Sequence, residues 1–488
     1  MSSTTKSDFV ALGDEIRQSN SENDPDDVVT GNEGKNDWDQ IWTVMACGAG
    51  LFSDGYINNV IGSVSTILKT IYGETYTHSS AQKNVSAITF AGTVLGQLIF
   101  GYTSDKWSRK GSLQLSTFIL ILFAAMGAGS YGGGTASGLF AALTAYRFLV
   151  GIGIGGEYPA GSVSCSEATG ELKKGSRNRW FILFTNVMID WGFVVGAFVP
   201  YVVVVISTDK HLRLAWRLML GLGVVPPILL LMFRFKLKEP EEESMKNVKI
   251  PYLLVIKYYW WRLFVVSLIW FLYDFSTYSF GIFSSTILSN IYGESASLPK
   301  IFGWNTIINL FYIPGAMLGS IFSDMVGPRY ALSIGVTLQA IVGFIMASLY
   351  PILSRVENVG GFAIVYGVFL SLGEFGPGDN IGLLASKTCA TGVRGQYYAI
   401  AAAVGKVGAF VGTYIFPYIE AAGGGASTAR GAQYPFYVSS AFCILTAILS
   451  MCCLPHVGQD TITTEDREFR AYLESQGWDV SRLGAARE

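Results

Sequence analysis

The chain has 488 residues, half of them drawn from the apolar set AVILMFWYC and only 14% charged. A soluble domain carries roughly a quarter charged residues, so an ordinary soluble fold and a disordered chain are both excluded. With 34 basic against 36 acidic residues the net charge is −2, which leaves no broad basic field to hold nucleic acid.

Residues 1–39 are polar and lack a basic stretch followed by an apolar core, so they read as a tail and not as a cleaved signal. A membrane-crossing helix needs about 20 mostly apolar residues. Such runs recur near 41–67, 84–103, 111–130, 139–165, 180–206, 214–235, 262–289, 302–325, 331–350, 362–386, 395–419 and 435–454. They predict an all-α polytopic membrane protein of about twelve spans. Lys and Arg fall about twice as often after even-numbered spans as elsewhere, Arg234 among them, which places both termini in the cytoplasm. The longest charged connection, 236–261, separates two six-span halves, 40–235 and 262–454. Residues 455–488 form a polar tail with a short amphipathic stretch at Asp466–Leu473. The six cysteines make no CxxC pair or zinc spacing, so no disulfide scaffold, metal or cofactor is expected. No GxxxxGK[ST] loop, catalytic triad or hydrolase elbow occurs, so neither an ATP-driven pump nor an enzyme is expected.

Span two closes on a loop holding Gly101, Asp105, Lys106, Arg109 and Lys110. A weaker echo with Gly319, Asp324 and Arg329 closes span eight, its acid 219 residues after Asp105. A repeat at that period suggests two stacked halves with a substrate site between them. In physical terms Gly101 lets two helices approach, and Asp105 caps the next helix. The basic cluster meets anionic lipid or an opposing helix.

Ionisable residues at bilayer depth cost about 2.5–3.5 kcal/mol each on insertion scales, so they mark function or a paired structural role. Asp54, Arg147, Glu157, Asp190, Asp274, Glu374, Asp379 and Lys406 lie at that depth. Asp54 reads as a carboxyl that takes a coupling proton, or else as a structural partner of Arg147. Gly151, Gly155 and Gly156 lie on one face of span four and read as close helix packing, not as a nucleotide loop. Glu157 with Tyr158 suits an anion or proton site, because a phenol and a protonated carboxyl both donate to a phosphate oxygen. Trp270, Asp274 and Tyr278 recur at i, i+4 and i+8 and line one stripe of span seven. Lys406, a compact cation with three donors, suits a phosphate monoanion. Asn59, Asp379 and Asn380 offer hydrogen-bond partners for the hydroxyls of a polyol.

The loop at Gly101 to Lys110 resembles the signature between spans two and three of the major facilitator superfamily, with Ser108 where that family usually has Gly. Tyr146 to Pro159 looks like span four of the phosphate:proton symporters. The Trp270, Asp274, Tyr278 stripe is similar to their span seven. Phe375-Gly376-Pro377 and Gly405 to Ala409 are similar to their spans ten and eleven. The run Ser53-Asp54-Gly55-Tyr56 with Asn58 and Asn59 resembles the fungal glycerophosphoinositol permeases. Glu157 stands where phosphate carriers usually place Asp, Asp379 intrudes before Asn380, and Lys387 stands where they commonly carry Glu. These departures argue against strict specificity for inorganic phosphate.

The resemblance implies proton-coupled import of glycerophosphodiesters, chiefly glycerophosphoinositol, by alternating access at the plasma membrane. It implies Asp54, Glu157, Asp274 and Arg147 as proton-coupling residues. Tyr158, Trp270, Asp274, Tyr278, Lys406, Asn59, Asp379 and Asn380 are the substrate-binding set. The partners are then a small phosphate-bearing organic anion, protons and the bilayer, for a protein acting as a monomer. Alternatives are glycerophosphocholine or inorganic phosphate as substrate and, from another class, a non-transporting nutrient receptor, which the short tails disfavour.

Overall fold

In lipid every backbone amide must be satisfied within its own segment, which makes the α-helix the solution for apolar runs of this length. The computed structural model describes residues 37–480 apart from 78, 170–171, 173–174, 236–249, 294–296 and 459–460, and among the described residues no strand occurs. The expected tail up to residue 36 and most of the central connection lie outside the described residues. Residues up to Ile41 form one unit, whose described part opens the helix Asp37–Gly48, and everything from Trp42 onward forms a second.

The span helices are α1 Phe52–Tyr72, α2 Ala81–Lys106, α3 Arg109–Ala128, α4 Ala136–Thr169, α5 Arg177–Ser207 and α6 Leu212–Arg234. They continue as α7 Tyr252–Tyr292, α8 Leu298–Val326, α9 Pro328–Leu353, α10 Val356–Lys387, α11 Thr391–Ala422 and α12 Ala429–Cys453. Eleven of them, α2 to α12, are long and apolar enough to cross a membrane. The remaining one, α1, is more polar because Ser53, Asp54, Asn58, Asn59, Ser63, Ser65 and Thr66 are all buried on it. Large apolar side chains such as Leu95, Leu98 and Ile99 of α2 or Ile341, Ile345 and Leu349 of α9 point outward and exposed, as a lipid-facing surface requires.

Two expectations about the centre of the chain need correction. The connection read at 236–261 is helical from Tyr252 onward. There Tyr258 and Tyr259 pack their rings on Phe469 of a thirteenth helix, α13 Thr461–Ser475, at 5.6 and 5.3 Å. Arg262 also meets Glu465 of α13 with two hydrogen bonds of 2.7 Å, and Asp466 accepts from both the amide and the hydroxyl of Thr391. These contacts carry α7 beyond the length a bilayer needs. Arg234, read as part of the same connection, is wholly buried at the end of α6.

The helices pack through glycine where backbones touch. Gly151 of α4 lies against Thr89 and Gly92 of α2, and Gly155 against Thr93 and Gly96 one turn further on. A β-carbon at either position would overlap the α2 backbone, so close approach explains the stripe.

Two sets of contacts join the first six spans to the last six. At the end carrying the loop motif, here the basic end, Asp105 of α2 accepts from the Gln396 amide of α11 at 3.1 Å. Lys387 of α10 donates there to Asn178 of α5 at 2.6 Å, and Ser166 of α4 to Ser386 at 3.2 Å. At the far end Lys83 of α2 donates to the Tyr418 hydroxyl of α11 at 2.7 Å, and Thr306 of α8 to the Ala197 carbonyl of α5 at 3.1 Å. The two sets of spans are thus bridged at both ends.

The glycine contacts are testable. Gly151→Leu should reduce folded protein at least several-fold in detergent extracts, whereas Gly127→Leu, with open space where a β-carbon would stand, should extract like the unaltered protein.

Candidate functional site

An ammonium buried in a bundle is tolerable only with counter-charges at hand. Lys406 of α11 is 1% exposed and lies 3.3 Å from Asp274 Oδ2 of α7 and 3.6 Å from Asp54 Oδ2 of α1. Its Nζ donates to the Tyr278 hydroxyl and stands over the Tyr278 and Tyr158 rings at 3.8 and 4.8 Å. Tyr158 and Tyr278 both donate to Asp54 Oδ2, at 2.5 and 2.7 Å, and Asn58 donates to its other oxygen at 2.6 Å. Spans from both sets of six thus meet in one node of two carboxyls, two phenols and one ammonium.

The node forms one wall of a pocket between the two sets of spans, with about 40 Å³ of free space inside it. Tyr158, Trp270, Asp274, Tyr278 and Lys406 line it, with Tyr398 stacked edge-on to Trp270. Glu374 and Asp379 of α10, Asn186 of α5 and Tyr273 of α7 form another part of the lining. The Asn186 amide nitrogen is 2.9 Å from Asp379, 3.1 Å from Glu374 and 3.5 Å from Asp190. Tyr273 donates to both Glu374 oxygens at 2.9 and 2.8 Å.

Other expected residues lie elsewhere. Glu157 is not on the cavity wall. It forms a two-pronged ion pair with Arg234, 2.6 Å at each oxygen, and accepts further bonds from Ser116 and Thr117. Arg147 meets no acid among the described residues; it donates to the carbonyls of Val85 at 2.7 Å and Ile57 at 3.4 Å, while Asp54 is already taken by phenols and an amide. Asn59 follows Asn58 by about 100° around the helix. It faces α5 and α8, donating to the Phe193 carbonyl at 2.5 Å and to Asn309 at 2.8 Å. Asn380 is turned from the cavity in the same way, bonded to Ser323 of α8 and the Gly376 carbonyl at 2.7 Å each.

The loop motif also differs from its expected local role. Ser108, not Asp105, caps α3, accepting from the Gly111 amide at 2.9 Å. Asp105 is thereby free to cap α11, with Gly101 packed on Ala399. Arg109 bonds Glu167 of α4 at 2.9 Å, and Arg394 of α11 lies 3.5 Å from the same carboxylate. In the echo, Asp324 of α8 accepts from the Arg179 amide of α5 at 3.3 Å, and Arg329 donates to the Met451 carbonyl. Lys110 stands half-buried in the first turn of α3.

Asn186, Tyr273 and Arg234 were not among the expected site residues, and Asp190 and Glu374 were picked out as acids at bilayer depth without a role in the site. The i, i+4 spacing of Asn186 and Asp190 in an apolar run, and the position of Tyr273 beside Asp274, were signals available in the sequence.

A family model described as sugar (and other) transporter matches residues 42–242 and 238–469. A glycerophosphodiester transporter of Candida albicans is 50% identical, with 94% of this chain and 87% of the relative covered. A major glycerophosphoinositol permease of the same organism is 50% identical over 91% of this chain and 84% of the relative. A glycerophosphocholine permease from it is also 50% identical, over 94% and 86%. Among solved structures, a major facilitator proton:xylose symporter superimposes with a TM-score of 0.72 at 17% identity, covering 88% of this chain and 98% of that one, a likeness of fold.

Breaking a buried ion pair by removing one partner costs about 3–5 kcal/mol. Arg234→Ala should therefore lower the yield of monodisperse protein several-fold, as read by size-exclusion chromatography of detergent extracts. Glu157→Leu combined with Arg234→Met should restore much of it, since no lone charge then remains.

Proposed function

Since this chain belongs to the sugar (and other) transporter family of the major facilitator superfamily, among its fungal glycerophosphodiester permeases, we propose that it imports glycerophosphodiesters, glycerophosphoinositol foremost, together with protons. It does so by alternating access as a monomer in the plasma membrane, with both termini and the basic end in the cytoplasm. The observation that carries this reading is the buried Lys406 on the cavity wall, shared between two carboxyls.

The coupling follows from charge balance. An ammonium flanked by two carboxylates leaves a net negative node that repels a phosphodiester anion. When Asp274 takes a proton, Lys406 loses one counter-ion and a phosphodiester monoanion can stand in its place. The charge sum is then unchanged, so proton and substrate enter together. Tyr278, which accepts from Lys406 and donates to Asp54, links the substrate position to the second carboxyl. Trp270, Tyr398 and the lining residues of α5 and α10 are left for the glycerol and headgroup.

Two measurements test this. In proteoliposomes, uptake should rise as external pH falls and collapse with a protonophore; indifference to both would leave facilitated diffusion. Lys406→Ala should raise the apparent KM, since a charge-assisted hydrogen bond is worth about 1.5–3 kcal/mol, or about tenfold and more in affinity. Unchanged KM in a well-inserted variant would place the anion elsewhere.

Asn59 and Asn380 hold helices together and do not face the cavity. Alanine at either should therefore lower protein yield while leaving the ratio of glycerophosphoinositol to glycerophosphocholine competition within about twofold.

A further inference from the structure

Glu157 and Glu374 stand 217 residues apart, each opening a π-turn that also contains a proline, in α4 and α10. Their surroundings differ. Glu157 is neutralised by Arg234 of α6, whereas the residue 217 positions after Arg234 is Met451 of α12. Glu374 is 1% exposed and has no ion-pair partner among the described residues.

Two more acids meet it. Asp379 is 1% exposed, and Asp190, fully buried on α5, is aimed at the pair with Oδ1 unpartnered and Oδ2 only 3.5 Å from the shared Asn186 amide. The facing groups are Asn186 from α5, Tyr273 and, further off, Asp274 from α7, Tyr312 from α8, and Lys406 of α11 acting through space. Lys406 is already committed to Asp54 and Asp274. One amide and one phenol thus supply the hydrogen bonds to three carboxyls, all within 3.5 Å of the Asn186 amide nitrogen. Like charges so close in a medium of low dielectric cannot all ionise, and the ligand that removes the conflict without occupying space is a proton.

We propose that Asp190, Glu374 and Asp379 form a second proton-binding site, distinct from the Lys406 node, whose protonation holds α5 against α10 between the cavity and the basic end. It rests on the symport reading above. A carboxyl O–H forms with a proton taken from water on the far side and breaks by returning that proton to water on the basic side. Ionised, the three carboxylates repel one another across the α5–α10 seam, which the Lys387–Asn178 bond closes about two helical turns further on.

Glu374→Gln tests this, because the amide oxygen still accepts from Tyr273 and Asn186. In proteoliposomes the variant should accumulate glycerophosphoinositol at least about tenfold less and lose most of its dependence on external pH. Asp190→Asn, whose side chain is not on the cavity wall, should lose accumulation and pH dependence in the same way while keeping exchange of labelled for unlabelled substrate at equal pH. If unaltered protein ignores pH and protonophore, the symport reading and this site fall together. If unaltered protein is coupled and both variants keep its pH profile and proton-to-substrate ratio, only this site is overturned. If exchange falls in step with net uptake in Asp190→Asn, the triad merely positions helices and the proposal is equally overturned.

Discussion

One buried ammonium organises the centre of this molecule. Lys406 lies in an apolar helix where a lone charge would cost several kcal/mol, and it is held by groups drawn from α1, α4 and α7. Asp54 belongs to the first six spans and Asp274 to the last six, so the same charge that faces the cavity also ties the two sets together. Removing either counter-ion would change both the charge on the cavity wall and the tie between the two sets.

The two copies of the internal repeat use the same backbone devices to different ends. Both motif acids cap a helix of the opposite set, Asp105 on α11 and Asp324 on α5. Both α4 and α10 carry a glutamate at a π-turn, but only the first has an arginine, Arg234, to neutralise it. Divergence at one position of α12 separates a rigid joint from an uncompensated carboxyl. Ion pairing rigidifies the first set, while the second retains acids with few donors.

The helices and the polar stripe of α7 were legible in the sequence because they depend on local periodicity. Trp270, Asp274 and Tyr278 had to share a face, and they do. Lys406 stood out because cations are rare in such a run. What could not be read was pairing between distant helices. Nothing local to Glu157 distinguishes an acid facing a cavity from one facing Arg234, 77 residues away. Nor does the spacing of Asn59 reveal that a rotation of one residue turns it toward α5 and α8. Arg234 was assigned to a connection because charge statistics count residues near a helix end without regard to which way they point. Asp190, Glu374 and Asp379 each stood out as acids at bilayer depth, but their meeting across α5 and α10 escaped for the same reason, since it arises only through tertiary packing.

The π-turn at Glu374–Gly378 has a mechanical consequence for α10. A π-turn accommodates one residue more than an α-helix would over the same hydrogen-bonded ring. Were it to relax to α geometry, the segment beyond it would turn by about 100° and shift by about 1.5 Å along its axis. That segment carries Asp379, Ser386 and Lys387, which meet Asn186, Ser166 and Asn178 on spans of the first set. A single change of register would withdraw all three together. A local twist of half a helix would thus free α10 from the first set while the α2–α11 contact of Asp105 and Gln396 stays in place.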